Sequence, residues 1–89
     1  MIPDDLADRL GFMYAALENE LESAYVKRDG EVAASRDVPL WQAFAALVEE
    51  VGEVARALHD GGDDDAVRGE LIQVATVAMF MAARPNYAR

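Results

Sequence analysis

Apolar residues recur at spacings of three and four along most of this 89-residue chain, which is the pattern of amphipathic helices. Acidic residues near the N-terminus, and Lys27 and Arg28 further on, would suit the two ends of a helix dipole. No segment shows the strict alternation of a half-buried strand, so we expect an all-α fold. The first apolar stripe predicts a helix over residues 4–27 and consists of Leu6, Leu10, Met13, Leu17, Leu21 and Tyr25.

Two further helices are predicted, over residues 39–59 and 64–83. Asp37 is placed to cap the second helix with Pro39 in its first turn, and Asp60-Gly61-Gly62 is a strong stop signal. Asp63-Asp64-Asp65 put negative charge where the dipole of the third helix favours it. The expected core stripe of the second helix is Leu40, Phe44, Leu47, Val51, Val54 and Leu58.

The length and composition predict one domain, residues 1–89, with a core too small for its apolar content. A chain of 89 residues without cysteine buries a modest share of its surface, yet 53% of these residues are hydrophobic. The third predicted helix is apolar on more than one face. We therefore expect a helix bundle completed by oligomerisation, as a homodimer or homotetramer whose interface includes this helix.

The charge balance excludes some classes of partner. A formal net charge of -9 opposes binding to nucleic acid and to anionic membrane surfaces. No apolar run approaches the ~18 residues that would suggest a membrane span, and the N-terminal residues lack the basic start of a signal peptide. A cytoplasmic protein is the expectation.

The candidate chemistry lies in two acidic motifs on neighbouring helices. Glu49, Glu50 and Glu53 share one helix face, and the second motif contains Glu70 and Gln73. If the two helices face each other, several carboxylates crowd together and repel unless a cation lies between them. Mg²⁺ prefers such oxygen ligands and is commonly held together with substrate phosphates. The pattern therefore predicts a metal-dependent site that processes phosphates.

The segment from Leu47 to Leu58, Leu-Val-Glu-Glu-Val-Gly-Glu-Val-Ala-Arg-Ala-Leu, resembles the first metal-binding helix of the MazG-like all-α nucleoside triphosphate pyrophosphohydrolases. That family carries Glu-Glu-x-x-Glu followed by Glu-x-x-Asp, and the resemblance spans residues 40–83. It implies a helix bundle built from two subunits. It also implies cleavage of a nucleoside triphosphate to the monophosphate and pyrophosphate. The implied cofactor is Mg²⁺, or alternatively Mn²⁺, and the implied biological role is nucleotide-pool cleaning.

The resemblance assigns roles to individual residues. Glu50 and Glu53 match the metal ligands of the first motif, and Glu70 matches the first ligand of the second. Gln73 stands where the family usually has Asp, and its carbonyl oxygen is a neutral ligand. Glu49 matches the additional acid and is the candidate for orienting or deprotonating the attacking water. The family's phosphate- and base-contacting residues do not carry over to this sequence. The candidate substrate-binding residues are chosen for their positive charge or aromatic ring, and they are Lys27, Arg28, Trp41 and Arg68.

Two other functions stay open on the sequence alone. Gln73 in place of Asp suits a catalytically weak module that binds metal or nucleotide without turnover. The charge of -9 suits an acidic helical interaction protein. Release of pyrophosphate in the presence of Mg²⁺ distinguishes the enzyme from both.

Overall fold

The computed structural model describes residues 1–27, 34–35 and 37–85, and this part of the chain contains three long helices and no strand. They are α1 (Asp4–Val26), α2 (Leu40–His59) and α3 (Asp64–Ala82). Each begins and ends within one residue of the predicted bounds. The all-α prediction is confirmed.

The turn between α2 and α3 is fixed by local chemistry. Gly61 has a φ of 73°, in the left-handed region that glycine adopts without strain. The N–H of Gly62 donates to the carbonyl of Ala57 at 2.8 Å, which closes the end of α2 in a Schellman motif. Asp63 then caps α3, because its Oδ1 accepts a hydrogen bond from the N–H of Ala66 at 2.8 Å. The turn therefore sets the register of α3 against α2.

The start of α2 differs from the prediction. Pro39 rather than Asp37 occupies the N-cap position, and no side chain caps the helix. The backbone N–H of Asp37 donates instead to the hydroxyl of Ser35 at 3.1 Å. This end of α2 is tied to the end of α3 by Arg84, whose guanidinium donates to the carbonyl of Val38. Asp37 and Val38, just before α2, are thus held by turn and long-range contacts that periodicity does not report.

The central helix of the fold is α3, which packs against both α1 and α2. The turn makes α2 antiparallel to α3. The early part of α1, around Met13, lies beside the start of α3, and Lys27 lies near Phe80 in its later part, so α1 and α3 run parallel. The two outer helices both pack on α3 and leave a space between them. Among the described residues no helix is both long and apolar enough to cross a membrane.

Little of the described chain is fully buried. The buried residues are Ala24, Ala43 and Thr76, one from each helix. The buried hydroxyl of Thr76 donates a hydrogen bond to the carbonyl of Ile72 at 2.8 Å. Short side chains at this level allow close approach of the helices. The core that the chain builds from its own residues is small, in line with the expectation from its length.

The predicted core stripe of α2 is wrong in part. Leu47 and Val54 are half-buried, but the other four members of that stripe are exposed. The row that lies against α3 contains the buried and half-buried residues of α2, which are Ala43, Leu47, Glu50, Val54 and Ala57. The prediction chose large apolar residues for the contact, whereas the fold uses small ones that let the two backbones come closer.

Candidate functional site

A cavity of about 650 Å³ opens between α1 and α2, with α3 as its floor. Its size falls within the ~300–1,000 Å³ typical of small-molecule sites. It exists because α1 and α2 both pack on α3 without packing closely on each other. Four alanines, Val77 and Phe80 form its apolar wall. Its polar lining consists of Glu20, Lys27, Gln42, Glu49, Glu50, Gln73 and Thr76.

The register of the α2–α3 hairpin brings the two acidic motifs to the same level. Glu50 lies eleven residues before Gly61, and Gln73 lies eleven residues after Gly62. Glu53 and Glu70 are likewise each eight residues from those glycines. In an antiparallel hairpin such equidistant positions lie beside each other across the pair. The motifs therefore form two levels, one of Glu50 with Gln73 and one of Glu53 with Glu70.

Only the first level reaches the cavity. Glu50 and Gln73 are half-buried and line it, and Glu49 lines it from an exposed position. Glu53 and Glu70 lie one turn nearer the hairpin turn, outside the cavity lining. The carboxylate of Glu53 forms an ion pair at 3.9 Å with Arg56, one turn further along α2.

The predicted substrate-binding residues do not lie together in the structure. Lys27 lines the cavity and is the one basic side chain among the described residues that does so. Arg68 lies in an adjoining groove that shares Glu20 and Gln73 with the cavity, and it pairs with Asp65 at 3.1 Å. Trp41 is 72% exposed and does not line the cavity. Arg28 lies outside the described residues.

The oxygen atoms of Glu49, Glu50 and Gln73 are of the chemical type that binds Mg²⁺. Carboxylate and amide oxygens are the ligands that this hard cation prefers. Within the described part of the chain, however, no three His, Asp or Glu side chains are grouped closely enough to hold a metal ion together. Mg²⁺ commonly takes only one or two carboxylates and completes its shell with waters and phosphates. The Glu50–Gln73 level, with Glu49 beside it, fits that mode rather than an all-protein cage.

The sequence patterns missed Glu20. This residue of α1 is half-buried and lines both the cavity and the adjoining groove. A signal was present, because Met13, Glu20 and Lys27 recur at intervals of seven and so share one face of α1. A carboxylate in a row that packs against another helix is unusual and points to a polar surrounding.

Comparisons with protein-family models, with curated proteins and with solved structures found no match to this chain. The resemblance to the MazG-like family consequently rests on the two motifs quoted above. Gln73 is the position at which the second motif differs from the family pattern.

Proposed function

We propose that this chain is a Mg²⁺-dependent nucleoside triphosphate pyrophosphohydrolase that releases a nucleoside monophosphate and pyrophosphate and so cleans the nucleotide pool. The observation that carries the proposal is the lining of one cavity by Glu49 and Glu50 from the first motif and Gln73 from the second. Lys27 supplies a positive charge in the same cavity, which a polyphosphate requires of an otherwise acidic surface.

Four polar residues of the cavity have roles in the proposed reaction: Glu49, Glu50, Gln73 and Lys27. Glu50 and Gln73 are the oxygen donors that would hold Mg²⁺, whereas the other two predicted ligands, Glu53 and Glu70, lie at the next level outside the cavity lining. The bound cation would neutralise the triphosphate and lower the pKa of the attacking water. Glu49 is solvent-accessible beside Glu50 and would accept the proton that this water loses. Lys27 would bind phosphate oxygens as a point charge.

The reaction breaks the bond between the α phosphorus and the oxygen bridging to the β phosphorus. The oxygen of water forms the new bond to the α phosphorus, pyrophosphate leaves with the bridging oxygen, and the water proton passes to Glu49. The cavity holds the substrate and the water in one place, which converts the encounter into an intramolecular step.

The test is pyrophosphate release across the common nucleoside triphosphates with Mg²⁺. We expect turnover by the parent chain and a loss on the order of a hundredfold in kcat/KM for Glu50→Gln, which removes a charge from the site without changing its shape. Glu18→Gln is the matched control, because Glu18 is an exposed residue of α1 outside the cavity lining. Equal activity of the two variants would refute the assignment.

A catalytically weak binding module is the second candidate, and Gln73 favours it. An amide at this position brings no charge to the cation, so metal and nucleotide would bind without efficient turnover. Saturable Mg²⁺-dependent nucleotide binding without pyrophosphate release identifies this case. The absence of both binding and release would favour the remaining candidate, an acidic helical interaction protein, for which the net charge of -9 is the support.

A further inference from the structure

An apolar row runs along the outside of α2. We call it the outer row, and its members follow one another at spacings of three, four, three, four and three: Trp41, Phe44, Val48, Val51, Ala55 and Leu58. That spacing is the seam of a coiled coil. Its five large side chains are 50–72% exposed, so nothing in the described chain covers them. The row contains no charged residue over its whole length.

The outer row points away from the cavity. At about 100° per residue it is turned by roughly 110° from the row that lies against α3, and by about 170° from the cavity-lining face. All three acids of α2, which are Glu49, Glu50 and Glu53, lie off the outer row. A partner on this row would leave the cavity open and would meet no carboxylate of α2 at its centre.

The exposed area of the chain matches what a second copy would bury. The accessible surface is 6689 Å² for a chain of 9.7 kDa. A folded monomer of this mass is expected to expose about 5,100 Å². The excess of roughly 1,600 Å² is twice the ~800 Å² that each partner buries in a standard interface, and lies in the range of obligate homodimers. An excess of this size is enough surface for a second copy to cover.

We propose that the outer row pairs with the outer row of a second copy, with the two α2 helices antiparallel. The row is complementary to itself in that direction, because Trp41 meets Leu58, Phe44 meets Ala55, and Val48 meets Val51. A parallel pair would place Phe44 on Phe44 and leave Ala55 opposite Ala55. An isologous contact of this kind closes into a two-fold dimer.

Two further features favour the antiparallel pair. Opposed helix dipoles attract, whereas a parallel pair sets like ends together. Gly52 adjoins the centre of the row, and a Cβ built there meets nothing within 4 Å, so the partner backbone can approach closely. The composition predicted self-association through the third helix. Of its large apolar side chains α3 exposes Leu71 and Met79, whereas α2 exposes six, so the longer uncovered row lies on α2. An interface through α3 stays a prediction.

The first test is the mass in solution. We expect twice the chain mass of 9.7 kDa by light scattering at micromolar concentration, and a dissociation constant raised about a hundredfold by Phe44→Glu, which puts a charge in the interface. Phe12→Glu is the matched control, because Phe12 is a 73% exposed phenylalanine on α1. A monomeric parent, or equal effects of the two variants, would overturn the proposal.

The second test reads the orientation and does not depend on how well Phe44→Glu folds. The chain has no cysteine, so a tagged Val48→Cys chain and an untagged Val51→Cys chain carry one thiol each. When they are mixed and oxidised, the antiparallel pair predicts the mixed disulfide in preference to either homodimer. Preferential homodimers, or no disulfide in either combination, would overturn it. Neither test uses activity, so the inference stands or falls independently of the proposed function.

Discussion

Adding one charge at residue 73 is the sharpest probe of the candidate site. Gln73→Glu preserves the length and shape of the side chain and puts a carboxylate on the same level as Glu50. If Mg²⁺ binds there, the new charge lies about 4 Å from the cation. With the water-like screening that an open cavity warrants, a unit charge and a divalent ion at that distance attract by about 2 kcal/mol. That is a roughly thirtyfold tighter Mg²⁺ dissociation constant.

Without metal the same substitution should destabilise the folded chain. The carboxylates at residues 50 and 73 would repel by about 1 kcal/mol at a separation near 4 Å. For a chain of this size that lowers the melting temperature by about 4–8 °C. Mg²⁺ should then raise the melting temperature of Gln73→Glu more than that of the parent, since it binds only the folded state. A substitution that lowers the melting temperature without Mg²⁺ but increases the stabilisation by Mg²⁺ indicates a metal site rather than a general effect of charge.

The assay is calorimetric Mg²⁺ titration, with thermal unfolding in EDTA and in Mg²⁺ at one fixed protein concentration. Gln42→Glu is the matched control, because Gln42 is the other glutamine of the chain and also lines the cavity. It lies seven residues, about 10 Å of helix rise, from Glu49, a distance at which salt screens most of the interaction. If the two variants bind Mg²⁺ equally, residue 73 is not a ligand position and the reasoning fails.

Two predictions concern the hairpin turn, both measured by denaturant unfolding at fixed protein concentration. Asp63→Ala should cost about 1 kcal/mol by removing the cap of α3, whereas Asp63→Asn, which still accepts a hydrogen bond, should cost only a few tenths; equal costs would show that the cap is not what stabilises this end. Gly62→Ala should cost more than about 1 kcal/mol, because its Cβ would lie 2.8 Å from the carbonyl oxygen of Ala57. Gly69→Ala, at an open helical position, should stabilise by up to about 1 kcal/mol, and the same sign for both glycines would contradict the structure.

The helices and their turn were predictable because their signals are local. Apolar periodicity, a left-handed glycine and a capping aspartate each act within a few residues, and the structure has Gly61 and Asp63 in those roles. The start of α2 was not predictable in the same way. The contact from Arg84 to Val38 joins residues 46 positions apart, and no local pattern reports it.

The sequence patterns failed mainly in predicting the rotation of α2 about its own axis, which decides the row that faces α3. Small or apolar residues cover more than half of its circumference, so periodicity cannot say which row faces α3. The row that does so includes Ala43 and Ala57, whose short side chains permit close packing, and Glu50, which a hydrophobic pattern would place outside. The presence of Glu50 and Gln73 in one cavity follows from that rotation and from the register of the turn.

The rotation of α2 also explains the exposed apolar surface. Burying the outer row against α3 within one chain would require turning α2 by roughly 110°, which would carry Glu49 and Glu50 away from Gln73 and out of the cavity. One helix cannot place its acids beside Gln73 and also bury Phe44 and Val51 on α3. A second copy removes this conflict, because it covers the outer row without moving the acids. In the proposed dimer the cavities remain open on the two far sides, and the apolar surface that each chain leaves uncovered is the consequence of where its acids lie.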